Sequence, residues 1–243
     1  MLQDTSRNSG GSEYHFPLSF TSTLPLFLLA FTNMMQLLAW KQKVWLQIVI
    51  IYTRYLIGGA FVFASLIKIK GERFTNVKGA GSPFHSPEHF FETMYQSGVY
   101  WQFLGIMQLI AGLLLMTQRY ALLGALLFLP IIANIFVITV SYNFGYTDVI
   151  TGAMLLATVG LLAWDWNRLR IVFNQSVILL PSAAFYERKL WEVVGLVLFL
   201  YTVGYRALVA QNNPLIWFGV CVMVGALGLI ISWVLHRRLK SNA

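Results

Sequence analysis

One cysteine, four histidines and nine acidic residues leave this chain of 243 little of the chemistry of soluble enzymes. With Cys221 alone, no internal disulfide, Cys-x-x-Cys shuttle or cysteine-based zinc site can form. His15, His85, His89 and His236 fall outside or at the ends of the apolar runs, which leaves no pair of intramembrane histidines for a haem. Charge is scarce as well: 11% of residues are charged against 58% apolar, and the mean hydropathy is +0.67. A water-soluble domain of this length needs more polar surface. The formal charge of +8 does not point to nucleic acid, because the basic residues lie between apolar runs rather than along one soluble face. That placement fits membrane topology and anionic lipid headgroups.

Apolar runs of bilayer length are what the chain has in abundance. Six spans are read near 44–68, 98–117, 120–142, 147–164, 190–210 and 215–235. The predicted fold class is all-α, a polytopic transmembrane helix bundle. Very short links make the second, third and fourth spans, and the fifth and sixth, antiparallel neighbours. Pro130 inside the third span is expected to kink it, as membrane bundles tolerate. Two connections are long, roughly 69–97 and 165–189. The second begins Trp164, Asp165, Trp166, Asn167, Arg168, a pattern of ring and base typical of the headgroup level.

Basic residues set an expected orientation. Lys41, Lys43, Arg119, Arg168, Arg170, Arg188, Lys189, Arg237, Arg238 and Lys240 fall on one side of the bilayer. Lys68, Lys70, Arg73, Lys78 and Arg206 fall on the other. The more basic side is expected to be cytoplasmic, with both ends of the core inside. Residues 1–40 read as an N-terminal extension, polar to about residue 15 and then apolar with Pro17 and Pro25. They lack a basic n-region and a clear cleavage site, so a secretory signal is not expected; a weak seventh helix, or a working start at Met34 or Met35, are the alternatives.

Arg54 lies inside the longest uninterrupted apolar run, Val44 to Ile67. A guanidinium near the middle of such a helix costs at least about 2.5–3.5 kcal/mol unless it faces the interior and meets a partner. Arg54, Gly58, Phe61, Ser65 and Lys68 share one helical stripe, which should face inward. In the second span the stripe is Trp101, Gly105, Gln108 and Gly112, whose glycines would let another helix approach closely. At about 1.5 Å per residue, Arg54 and Gln108 are expected at similar mid-membrane depth. Asn134 in the third span and Asp148 at the start of the fourth, with Tyr100 and Gln102, complete the outline of a polar pocket opening outward. The bland alternative is that Arg54 pins the bundle together and each amide bonds a neighbouring helix.

His85, Ser86, Pro87, Glu88 and His89 spell the H-x-x-E-H of certain zinc peptidases. That chemistry needs both histidines on one helix face. Pro87 belongs at the first helical position after a Ser86 cap, which puts His85 outside the helix, so no metal site is expected. Residues 87–96 are expected to form a short surface helix with Phe90, Phe91, Met94 and Tyr95 on the lipid side.

Three stretches resemble the DoxX-like family of small four-helix membrane proteins. They are Arg54-Tyr-Leu-Ile-Gly58 followed by Ser65 and Lys68, Gln108-Leu-Ile-Ala-Gly112, and Thr117-Gln-Arg119-Tyr-Ala121. The wording, including Lys70-Gly-Glu-Arg-Phe-Thr, is similar to multipass proteins of Bacteroidota-type bacteria. The resemblance covers roughly 44–168, making 41–168 a DoxX-like core, 169–189 a linker and 190–243 a C-terminal hairpin with a basic tail. It implies a bacterial plasma (inner) membrane protein. Some relatives are small subunits of a thiosulfate:quinone oxidoreductase, and others assist assembly or redox maturation. Family members often carry Glu where this chain has Gln108, which takes away the carboxylate the resemblance would give Arg54.

Two functional readings follow. In the first, a redox-associated accessory subunit takes a quinone or other amphipathic small molecule and contacts a membrane or periplasmic redox partner. The expected ligand-binding residues are Arg54, Phe61, Ser65, Lys68, Trp101, Gln108, Asn134 and Asp148, with no catalytic residue and no covalently bound cofactor. In the second, the chain is a non-catalytic membrane assembly factor or a small-solute transporter.

Overall fold

The structure, a computed structural model, describes residues 40–74, 79–170, 174, 189–209 and 213–241. The N-terminal extension up to residue 39 and most of the 169–189 linker therefore lie outside the described residues. Lys41–Ala243 form one compact unit.

Eight helices account for nearly all the described chain. They are α1 (Val44–Ile69), α2 (Pro87–Gln96), α3 (Val99–Met116), α4 (Ala121–Ser141), α5 (Thr147–Trp164), the short α6 (Trp166–Leu169), α7 (Lys189–Leu208) and α8 (Pro214–Ser241). Six of them are long and apolar enough to cross a membrane: α1, α3, α4, α5, α7 and α8, the last over Pro214–Leu235. This is a multipass membrane protein with an all-α bundle.

Local chemistry sets the helix ends. α1 stops where Gly71 takes φ +66°, with its N–H bonding Lys68 and the Glu72 N–H bonding Ile67, the paired closure that a left-handed glycine allows. α2 starts as its sequence demands: Ser86 accepts from the His89 N–H at 3.2 Å and Pro87 occupies the first turn. His85, at φ +70°, lies before that helix and does not share a face with His89. α4 runs through Pro130 without ending there.

α1 is the central element. It packs mainly against α3, while α4 and α5 complete a four-helix core and the α7–α8 hairpin covers another side of α1. The two stripes expected to be buried, one on each of α1 and α3, are buried and face each other. Glycine makes this close approach possible: a Cβ on Gly112 would lie 2.8 Å from the Gly58 carbonyl oxygen, and one on Gly105 would lie 2.8 Å from that of Ser65. One apolar core joins Ile57 and Phe61 to Leu115, Phe128, Ile132 and Leu161. A second joins Ile51, Tyr55 and Met116 to Trp191, Val194 and Leu198 of α7. Hydrogen bonds from Tyr55 to the Trp191 carbonyl, from Tyr52 to the Gly225 carbonyl (2.6 Å) and from Arg206 to the Phe63 carbonyl (3.1 Å) fasten the hairpin to α1.

Candidate functional site

Two polar features lie along α1, toward opposite ends of the four-helix core. The first is built on Arg54, which is 1% exposed. Its guanidinium donates to Asp165 Oδ2 at 2.5 Å and to Gln118 Oε1 at 2.9 Å. Asp165 follows the last residue of α5, and Gln118 lies in the α3–α4 turn at φ +58°. A non-glycine residue held in the left-handed region is costly and marks a place where the surroundings dictate the conformation. Here that conformation accompanies a buried amide on a buried cation.

This corrects the expected depth of Arg54. The close approaches of Gly58 to Gly112 and of Ser65 to Gly105 fix the antiparallel register, which puts Arg54 level with the end of α3 at Met116, not with Gln108. α1 has 26 residues and α3 only 18. Its first turns therefore run past the end of its neighbour by about 1.5 Å per residue. Counting residues from the start of each apolar run missed this axial offset between α1 and α3. The carboxylate that Gln108 cannot offer comes from Asp165, whose isolated acid between Trp164 and Trp166 was the available signal.

The second feature is a cavity of about 490 Å³ at the other end of the four-helix core. Of the eight expected ligand residues, Phe61, Lys68, Trp101, Gln108 and Asn134 line it. Arg54, Ser65 and Asp148 do not. Ser65 is fully buried where Gly105 passes, and its hydroxyl donates to the Val62 carbonyl at 2.7 Å. Asp148 Oδ1 accepts from the Val149 N–H at 2.8 Å in the first turn of α5, between the lining residues Thr147 and Thr151 but not itself in the wall. Gln102 is also absent from the lining, whereas Tyr100 belongs to it. Phe74, Tyr100, Pro130, Asn134 and Thr147 are the exposed members of the wall and mark where it opens.

Most of the wall is aromatic and aliphatic. The rings of Phe61 and Phe128 pack at 3.8 Å between centroids behind it. Buried Thr139 and Thr151 satisfy each other across α4 and α5 at 2.8 Å, so they offer a ligand little. Gln108 differs. It is 3% exposed, and its Oε1 has no hydrogen-bond partner. A buried amide oxygen left unmatched costs on the order of 1–3 kcal/mol.

α2 covers this end, and its orientation is the second correction. Phe90, Phe91 and Met94 line the cavity instead of facing lipid. The Phe91 ring packs on Phe74 at 5.5 Å and Phe144 at 5.2 Å, while Phe90 packs on Tyr142 at 4.8 Å. Tyr95 lies under the Arg73 guanidinium at 4.5 Å. The loops after α1 and α4 supply aromatic partners that a reading of α2 alone does not reveal. A bidentate pair, Arg73 Nε and Nη2 with Glu92 Oε2 and Oε1 at 2.9 Å each, ties the loop after α1 to the lid. Hydrogen bonds from Arg73 hold the Glu92 carboxyl well below the usual carboxylate range, at about 2, so the latch is ionised at neutral pH. Trp101 Nε1 donates to the Glu72 carbonyl at 3.0 Å and fixes the same loop to α3.

No family model matches the chain, and no solved structure matches it. A relative described as the uncharacterized protein YwoB, of Bacillus subtilis (strain 168), is 37% identical over 82 residues. That match covers 34% of this chain and 53% of YwoB, about half the relative's length. Helix length and apolarity therefore carry the assignment as a multipass membrane protein.

Proposed function

We propose that this is a DoxX-type protein of the bacterial plasma membrane whose lidded cavity receives a quinone-like or other amphipathic small molecule. The observation that carries the reading is the Gln108 amide, buried in a mostly apolar wall with its oxygen unmatched. A ligand with one polar end and an apolar body supplies what that wall lacks. The redox-associated role follows the family resemblance. With one cysteine and no histidine within a span, the chain serves as an accessory to a redox partner and not as a complete oxidoreductase.

Protein purified gently and extracted with organic solvent should yield about one amphiphile per chain, identified by mass spectrometry and, for a quinone, by absorbance. Gln108→Leu should lose that molecule while melting at the same or a higher temperature, since it removes an unmatched buried amide. A wild-type protein carrying only bulk lipid would overturn the reading. A lowered melting temperature in Gln108→Leu would assign the amide to structure instead.

The cavity opens to the outside in this proposal, on the strength of ten basic residues facing the other side against five here. With Cys221 replaced by Ser, a cysteine at exposed Gly81 should react with an impermeant thiol reagent on intact cells, and one at Ser241 should not. Reversed labelling would turn the mouth of the cavity to the cytoplasm.

A further inference from the structure

We infer that the occupant of this cavity is an amphiphile whose head carries one negative charge, and that Lys68 is its counter-ion. The inference rests on the proposed reading of the cavity as a ligand site and adds the charge of the head. Lys68 is 7% exposed and, among the described residues, is the one charged side chain in the wall. Its ammonium donates to the Ala64 carbonyl of its own helix at 2.9 Å. It also sits against the Phe74 ring at 4.8 Å and the Trp101 ring at 5.2 Å from their centroids.

An ammonium has three donors, and among the described residues this one uses a single donor on protein oxygen. Glu92 is paired with Arg73, so the lid carboxylate is already taken. Arg206 adds a like charge to the surroundings of Lys68. Ring faces return part of the cost of burying a cation, on the order of 1–2 kcal/mol for a desolvated pair. An anionic head beside Nζ would satisfy the free donors and cancel the charge. The wall beyond, with Phe61, Ile135, Ile138 and Met154, suits a hydrocarbon tail. One cation in the wall sets one negative charge on the head. A carboxylate of a free fatty acid and the phosphate of an anionic lipid share that chemistry.

Equilibrium binding of radiolabelled dodecanoate to the full chain in phosphatidylcholine nanodiscs tests this. Saturable binding is expected, with dodecanol and a short-chain ubiquinone competing at least about 10-fold more weakly than unlabelled dodecanoate. Lys68→Met, similar in length and apolar, should weaken dodecanoate at least about 10-fold, while Lys68→Arg should retain most of the affinity. Phosphatidylglycerol in the discs separates the sources. Competition by it assigns the head to a lipid, and its absence assigns the head to a free carboxylate; Lys68 is the counter-ion in both. Equal displacement by dodecanol, or ubiquinone binding saturably where dodecanoate does not, would overturn the anionic head and leave the amphiphile reading standing. No saturable binding of any of the three probes would remove both. The dodecanoate and dodecanol comparison needs only wild-type protein, so it decides the matter even if a Lys68 variant does not fold.

Discussion

Asp165→Ala should be among the most damaging single substitutions in the chain. It strips the carboxylate from a guanidinium that is 1% exposed and leaves Gln118 as its remaining side-chain partner. Breaking a buried pair from one side costs about 3–5 kcal/mol, because the other charge stays buried without compensation. A large drop in melting temperature in detergent, or failure to accumulate in the membrane, is expected. Arg54→Leu should do somewhat less harm, since it takes the guanidinium from Asp165 but leaves the Lys41 charge nearby. The double variant Arg54→Leu with Asp165→Leu should recover most of the stability, as apolar replacement of both partners often does. Arg54→Lys should fall between, having lost the planar fork that reaches both Asp165 and Gln118. The ion pair lies outside the cavity, so the double variant should also keep the bound amphiphile. Single variants that melt like wild type would show that the pair does not form. A stable double variant that has lost the amphiphile would return Arg54 to the ligand site.

Gly195→Val should detach the α7–α8 hairpin from the core. A Cβ on Gly195 would lie 1.8 Å from the Met116 carbonyl oxygen and 2.9 Å from Tyr55 Cε1. Neither the end of α3 nor the packed Tyr55 ring can yield, so α7 would have to move outward. That movement breaks the bond from Tyr55 to the Trp191 carbonyl and opens the second apolar core. Overpacking of this kind costs about 1–3 kcal/mol or more. Gly204→Val, on the same helix with nothing within 4 Å of its Cβ, is the matched control and should change stability little. Limited proteolysis between α7 and α8, followed beside melting, should separate the two variants clearly. Equal behaviour would mean that the hairpin does not seat on α1 through Gly195.

Which helix faces are buried was legible in the sequence at particular residues. Arg54, Gly58, Phe61, Ser65 and Lys68 on α1, and Trp101, Gly105, Gln108 and Gly112 on α3, were grouped by spacing alone, and both groups are buried. The Ser86–Pro87 start of α2 followed from capping chemistry and stands at that position. The meeting of Arg54 with Asp165 was not legible, although Asp165 was visible as a lone acid between two tryptophans. The lid face of α2 was misjudged for a related reason: Phe90, Phe91 and Met94 read as lipid-facing until Phe74, Tyr142 and Phe144 are brought to them by other segments.

The sequence by itself determined the six spans, their antiparallel links and the inward stripes, because hydrophobic length and helical period are properties of one segment at a time. Only the tertiary structure decided which polar groups meet. Periodicity fixes the angle of a side chain around its helix axis and leaves free the axial offset between neighbouring helices. That offset is set by where Gly58, Gly105 and Gly112 let backbones touch. It brings Arg54 to Asp165 at one end of the core and leaves Gln108 and Lys68 in the cavity at the other.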